Sequence, residues 1–254
     1  TIDSAYEKFA PGVAGYTGLP EDADGSLAIK ATRMSDIVSR KQEWLWPGRL
    51  PKGQLVLLGG MPGAGKSTIS SEIAACLTAG RVWPDGADYT TEMGVMWCVT
   101  EEDMRCTVKP RLVAGGGNPE LIVLPETTES VKLSSNMAAL EYSLTHAKEL
   151  DGFEIGLVIM DPFMNYVGSQ NSNSDGETRE ILDPLAQVLQ RTGVTMLGIC
   201  HLNKKANMVD PIHALMGTTA FAGIARSIHF ALRISERRVF AICKSSGGAE
   251  DKYP

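Results

Sequence analysis

The 254-residue chain lacks the features that mark several large functional classes. No segment has the unbroken apolar length of a membrane span, and no basic stretch with an apolar signal core stands at the start. The expectation is therefore a protein that makes no use of a membrane and works in the cytoplasm. The five cysteines, Cys76, Cys98, Cys106, Cys200 and Cys243, form no C-x-x-C pair, and three of them lie in apolar strand-like runs. They read as reduced core residues; with only four dispersed histidines, no zinc site is expected. Aromatic residues are few, at 6%, and basic residues are outnumbered, giving a net charge of −6. Nucleic acid then has no global basic footprint to bind, only a local patch or the summed field of an oligomer. There is no internal repeat. The chain opens at Thr1 and stops at Asp251-Lys252-Tyr253-Pro254 without a clean ending, as a fragment of a longer protein would.

What is present is sharper. Gly60-Met61-Pro62-Gly63-Ala64-Gly65-Lys66-Ser67 follows the apolar run Leu55 to Leu58 and precedes a helix-like stretch from Thr68 to Ala79. This is G-x-x-x-x-G-K-[ST] in the strand–loop–helix setting that gives the pattern its meaning. Glycines allow positive φ, which turns backbone N–H groups inward as a nest for phosphate oxygens, and the following helix adds the positive end of its dipole. Lys66 can reach the β- and γ-phosphates, the Ser67 hydroxyl can bind Mg²⁺, and Thr68 completes the cradle. The pattern predicts a site for a nucleoside triphosphate.

Residues 1–33 read as a flexible lead-in rich in Gly, Pro, Asp and Ser, and residues 34–254 as one α/β domain. Spacing predicts a helix over Met34–Trp46, ended by Pro47-Gly48. Strands and helices then alternate: strand Gln54–Gly59, helix Ser67–Ala79, strand Gly94–Thr100, helix Asp103–Ala114, short strand Leu121–Leu124, helix Asn136–Glu149 and strand Ile155–Met160. Helix Glu177–Arg191, strand Thr195–Cys200 and short helix Thr219–Ala225 follow, with Ile228–Ile234 and Val239–Cys243 as an antiparallel pair at the end. The runs Leu55–Leu58, Val95–Val99, Leu157–Met160 and Met196–Ile199 are apolar throughout, as strands covered on both faces must be. The expected fold is a mostly parallel twisted sheet flanked by helices on both faces, with antiparallel strands at the C-terminal edge and ligands at the carboxyl ends of the strands. The polar stretch Gly168 to Gly176 should form a loop at that edge.

Three strand ends carry candidate partners for the P-loop. Asp161 closes an apolar run and can hold Mg²⁺ with Ser67; its alternative role is to cap the next turn. Glu101, Glu102 and Asp103 follow another strand. One of the glutamates can polarise a water for attack on the γ-phosphate, while the remaining acids cap the following helix. His201 ends a third run, with Asn203 and Lys204 close behind, and suits a sensor of the γ-phosphate.

This order of motifs resembles the RecA-like ATPases of the RepA type, a group that includes hexameric replicative helicases of plasmids and ATPase modules of replication proteins. The resemblance spans roughly Trp46 to Gly248 and rests on the P-loop, Glu102-Asp103, Asp161-Pro162 and His201-Leu202-Asn203-Lys204. It also includes Asn173-Ser174-Asp175 with Arg179, and Gly217-Thr218-Thr219-Ala220-Phe221 with Arg226. It implies that Glu102 is the catalytic carboxylate, Asp161 the Walker B residue and His201 the sensor. Arg226 would be an arginine finger reaching the ATP of a neighbouring subunit, and Lys244 would approach the phosphates across the same interface. A homo-oligomer, as a hexameric ring, would then place ATP and Mg²⁺ between subunits, with Lys66, Glu102, His201 and Arg226 as the catalytic set.

The expected function is an ATP-driven motor on single-stranded DNA, either a helicase or the ATPase module of a replication protein. Lys204-Lys205 and the 168–176 loop are its candidate DNA-facing elements. The alternative is a regulatory or assembly ATPase that does not move along DNA, which the acidic balance favours. A small-molecule kinase fits less well, because no Arg-rich lid follows the P-loop. ATP is expected rather than GTP, since Asn203-Lys204 is followed by Lys205-Ala206 and not by the guanine-reading x-Asp.

Overall fold

Strands that are apolar on both faces can only lie inside a sheet that is covered twice, and the computed structural model has that arrangement. The structure describes residues 32–88, 91–127, 129–168, 175–202 and 219–245. The lead-in to residue 31, most of the 168–176 loop, Asn203, Lys204, Lys205, Gly217 and Thr218 lie outside the described residues. The chain divides into two compact units, Thr1–Lys41 and Gln42–Pro254.

In the first unit, the helix expected from Met34 onward is absent among the described residues. A single 3₁₀ turn, Met34–Asp36, stands in its place. Met34, Ile37 and Val38 are all exposed, so the apolar spacing there has no core to face. The other end of the expected helix is a strand of the second unit. Trp44–Trp46 (β1) pairs antiparallel with Leu50–Pro51 (β2) around Pro47-Gly48. Gly48 has φ 73° and Arg49 N donates to Trp46 O at 2.9 Å, a turn for which Pro followed by Gly is suited. Local turn chemistry thus overrides the helical spacing.

The main sheet has seven strands: Leu55–Gly60 (β3), Gly94–Val99 (β4), Ile122–Val123 (β5), Ile155–Asp161 (β6), Thr195–His201 (β7), Ser227–Ile234 (β8) and Arg237–Ser245 (β9). Their order is β5-β4-β6-β7-β3-β8-β9, and every neighbouring pair is parallel except β8–β9. The fold class expected from sequence is the one observed, with the antiparallel character falling on β9. β3 sits between β7 and β8 and is buried along its whole length.

Alternation along each strand splits the core in two. Leu55, Leu57, Val158, Met160, Met196 and Cys200 face a cluster that includes Leu140, Leu144, Leu182, Leu185, Leu189 and Phe221. These come from helices Leu133–Thr145 (α3), Asp175–Thr192 and Thr219–Ile224. Val56, Leu58, Leu157, Ile159, Leu197 and Ile199 face the other cluster, with Ile73 and Leu77 of Lys66–Thr78 (α1) and Leu112 of Lys109–Ala114 (α2). Each such side chain contributes about 1.5–3 kcal/mol by leaving water. Gly198 on β7 is small for a reason: a Cβ there would lie 2.8 Å from the Phe163 ring, which is fully buried. Among the described residues, no helix is long and apolar enough to cross a membrane.

The helix boundaries shift where side chains cap the backbone. Asp103 accepts from the backbone N–H groups of Arg105 and Cys106, opening a π turn, Met104–Val108, ahead of α2. The helix expected at Asn136–Glu149 begins earlier, at Leu133. It breaks at His146 and resumes as Ala147–Asp151 (α4), which Gly152 ends at φ 87°.

The hairpin β1–β2 closes the end of the α1 face with aromatic packing. Trp46 stacks on Trp83 at 4.8 Å and on Phe240 at 5.6 Å, its indole N–H donates to Asp85, and Arg49 caps the ring at 4.9 Å. Against Phe240 lies His229, whose Nε2 is 2.9 Å from Arg49 O. Burial pushes the His229 imidazole down to about 4, from 6.5. Between those values the unfolded chain takes up a proton that the folded chain refuses, so this group removes stability as pH falls from 6.5 toward 4, by roughly 3 kcal/mol. His229→Gln should flatten the stability profile across that window in urea titrations. An unchanged profile would mean that His229 is not held neutral.

Candidate functional site

At the carboxyl end of β3 the chain turns sharply, and the turn is shaped by its glycines. A Cβ on Gly60 would stand 2.7 Å from Ala231 O of the neighbouring strand. Gly63 and Gly65 have φ 75° and 103°, which side chains resist. Gly65 is the N-cap of α1, so the loop delivers backbone N–H groups at a helix N-terminus. Lys66, the first residue of α1, folds back over the loop: its Nζ donates to Gly60 O at 2.9 Å and to Met61 O at 3.3 Å. The ammonium is buried, and that burial lowers its pKa, while Asp161 pushes the other way.

The expected partners converge on the same edge. Asp161 is the last residue of β6 and pairs with Val99 of β4, and Thr100 N donates to Asp161 O at 3.1 Å. The residue is 8% exposed, and burial first, then Glu102, push its pKa up to about 6. His201 pairs with Gly60, placing it beside the P-loop. The two glutamates part company here. Glu101 is exposed and sits 3.4 Å from His201 Nε2. Glu102 is half-buried and is held by Arg111 of α2 at 3.0 Å. Asp103 is committed to capping, and the two N–H groups hold its carboxyl below the usual range.

Arg226 and Lys244 lie elsewhere. Arg226 N donates to Leu55 O, at the start of β3, and Lys244 Nζ donates to Ala222 O at 2.7 Å. Lys244 pairs with Ile228, and both burial and Arg226 lower its pKa. These two cations share the amino edge of the sheet, separated from the P-loop by the length of β3, about 17 Å of strand. Within one chain they do not join the site.

Three contacts escaped sequence reasoning. Arg111 anchors Glu102, Asn165 Nδ2 donates to Thr100 Oγ1 at 2.8 Å on the rim, and Arg238 lies over Gly65. The Glu102-to-Arg111 spacing of nine residues follows no regular helical period, because a π turn intervenes. Arg238 is brought in by the β8–β9 register, for which the sequence carries no local signal.

The donor set suits Mg²⁺. Ser67 supplies a hydroxyl in the first turn of α1 and Asp161 a buried carboxylate facing a cation. Among the described residues no group of three or more His, Cys, Asp or Glu could hold a metal by itself. Mg²⁺ asks for little more than one or two protein oxygens when phosphate and water complete its shell.

A family model described as AAA domain matches residues 26–207, which takes in the P-loop, Glu101, Glu102, Asp161 and His201 but neither β8 nor β9. The DNA repair protein RadA of Bacillus subtilis (strain 168) is 25% identical over 167 residues, a stretch covering 65% of this chain and 31% of RadA. The match therefore spans less than a third of that relative's length.

Asp161 generates a prediction of definite sign. A carboxyl whose folded pKa is raised stabilises the fold below about pH 3.8 and loses that contribution as pH rises through about 6. In the absence of nucleotide and Mg²⁺, Asp161→Asn should be more stable than the parent at pH 8 by about 1–3 kcal/mol. The difference should vanish near pH 4. Thermal melts at the two pH values check this, and a variant less stable at pH 8 contradicts the burial argument.

Proposed function

This chain belongs to the AAA domain family and has a RecA-like P-loop ATPase fold, and on that footing we propose that it hydrolyses ATP as a ring-forming motor on single-stranded DNA. The observation that carries the ATPase reading is the convergence of Lys66, Asp161, the Glu101–Glu102 pair and His201 at one sheet edge, around a glycine-shaped loop. The DNA reading draws on the description of RadA as a DNA repair protein and on the motif order shared with RepA-type ATPases.

In this reading Lys66 leaves Gly60 O and Met61 O for the β- and γ-phosphates. Ser67 and Asp161 would hold Mg²⁺, which would supply positive charge to offset that of the phosphate oxygens. Glu102, steadied by Arg111, accepts a proton from water as the water oxygen bonds to the γ-phosphorus and the bond to ADP breaks. Both glutamates act on Asp161, but Glu102 does so more strongly, and Arg111 fixes its orientation, which together favour it over Glu101. Glu101 and His201 then form a relay that feels the γ-phosphate. Arg226, with Lys244 beside it, serves the nucleotide of a neighbouring copy, since its own P-loop is out of reach. The net charge of −6 favours a second reading, an assembly-controlled ATPase with no DNA track.

Hydrolysis measured at low salt with and without single-stranded DNA separates the two. The motor reading expects strong stimulation that Lys66→Ala abolishes. Hydrolysis indifferent to DNA but rising with protein concentration sinks it in favour of the switch. Action in trans has its own signature: Lys66→Ala and Arg226→Ala, each inactive alone, should recover activity when mixed, at about one interface in four by random assembly. No recovery contradicts the shared site.

A further inference from the structure

The β8–β9 hairpin extends past the end of β3. The last pair between β3 and β8 is Gly60↔Ala231, so Leu232, Arg233 and Ile234 continue alongside the P-loop with no partner on that side from β3. Across the hairpin, Arg233 stands directly opposite Arg238, and Ile234 opposite Arg237, around the turn at Ser235, which has φ 55°. Directly opposed residues put their side chains on one face, so Arg233 and Arg238 bring two like charges to the same face of the hairpin, a destabilising pairing unless an anion offsets it.

Among the described residues, no carboxylate supplies that anion: neither arginine forms an ion pair with one, and Arg233 makes one long contact, Nε to Ser235 O at 3.4 Å. Arg238 instead reaches the phosphate loop. A Cβ built on Gly65 would lie 3.6 Å from Arg238 Cδ and 3.9 Å from Nη1. Gly65 is the residue whose left-handed backbone starts α1 and turns N–H groups toward a phosphate. An unpaired, exposed guanidinium resting there is placed to form charge-assisted hydrogen bonds to the same phosphate oxygens.

We propose that Arg238 binds the phosphate tail of the nucleotide seated on its own chain's P-loop, with Arg233 reinforcing the positive field of the hairpin tip. This rests on the reading of the P-loop as a nucleoside triphosphate site. It differs from the role given to Arg226, which serves a different subunit from the opposite edge. Arg238 is a binding and positioning residue, and its hairpin ties the occupied loop to strand β9.

The test is equilibrium binding of a fluorescent ATP analogue, with ATP, ADP and inorganic tripolyphosphate as competitors. It compares the parent chain with Arg238→Ala, Arg238→Gln, Arg238→Lys and Lys66→Ala. Arg238→Ala and Arg238→Gln should weaken both ATP and tripolyphosphate by about tenfold, with Arg238→Lys in between and unliganded melting unchanged. The loss should persist at protein concentrations where the chain sediments as a monomer. Tripolyphosphate binding at parent strength in both Arg238→Ala and Arg238→Gln, beside a loss in Lys66→Ala, overturns the proposal. So does a loss confined to the nucleotides, which would mean a contact to base or sugar, or a loss seen only in assembled protein. If the parent chain binds no nucleotide, the P-loop reading itself falls, an outcome the Lys66→Ala comparison keeps distinct.

Discussion

Burial on both faces leaves a strand only its ends for polar chemistry, and this constraint organises the whole molecule. β3, β4, β6 and β7 are filled with Val, Leu, Ile and Met, and helices cover them on each side. Polar and ionisable groups that must be near water and near one another are therefore gathered where the strands stop. Because the strands are parallel, they stop on the same edge, and Gly60, Thr100, Asp161 and His201 come together without being neighbours in sequence. Within that edge a buried cation and a buried anion set the electrostatics. Lys66 is lowered by its burial and Asp161 is raised by its own, and each moderates the other.

The stability argument follows from the same constraint. His229 and Asp161 are both penalised for carrying charge, but one is basic and the other acidic. Over the acid range their effects on stability oppose each other. His229 lies within the aromatic packing that seats the β1–β2 hairpin, whereas Asp161 lies where a divalent cation and phosphate would be drawn. A charge penalty at the second position is useful in a way that the first is not, since a bound cation relieves it.

Much of this was legible in the sequence, for physical reasons. A four- to seven-residue apolar run ending in Asp or His can be read as a buried strand with a polar residue at its tip, so the placement of Asp161, His201 and the glutamates at 101 and 102 along one sheet edge beside the P-loop was legible. The P-loop declares itself because few other arrangements need that spacing of Gly and Lys. The helix expected at Met34–Trp46 failed because periodicity says nothing of whether a core is present; Met34, Ile37 and Val38 face solvent, and Pro47-Gly48 dictated a hairpin instead. Side-chain pairing of the two glutamates was out of reach, since it depends on the π turn that sets Arg111 against Glu102. Arg238 was out of reach for a deeper reason: its position is fixed by antiparallel register and by how far β8 runs past β3.

The hairpin β8–β9 connects the two edges of the sheet. Its tip carries Arg238 over the P-loop, with Arg233 opposite it across the hairpin, and its base carries Lys244 beside Arg226, so on the proposed assignments one element would touch the chain's own nucleotide and a neighbour's. The most direct measurement of the central claim is a crystal structure of the chain with Mg²⁺ and a non-hydrolysable ATP analogue. The account predicts the phosphates on the loop Gly60–Ser67, Lys66 Nζ moved from Gly60 O to the β- and γ-oxygens, and the metal between Ser67 and the Asp161 carboxylate, directly or through water. A nucleotide bound away from this edge, or Lys66 still held by Gly60 O with phosphate present, would contradict it.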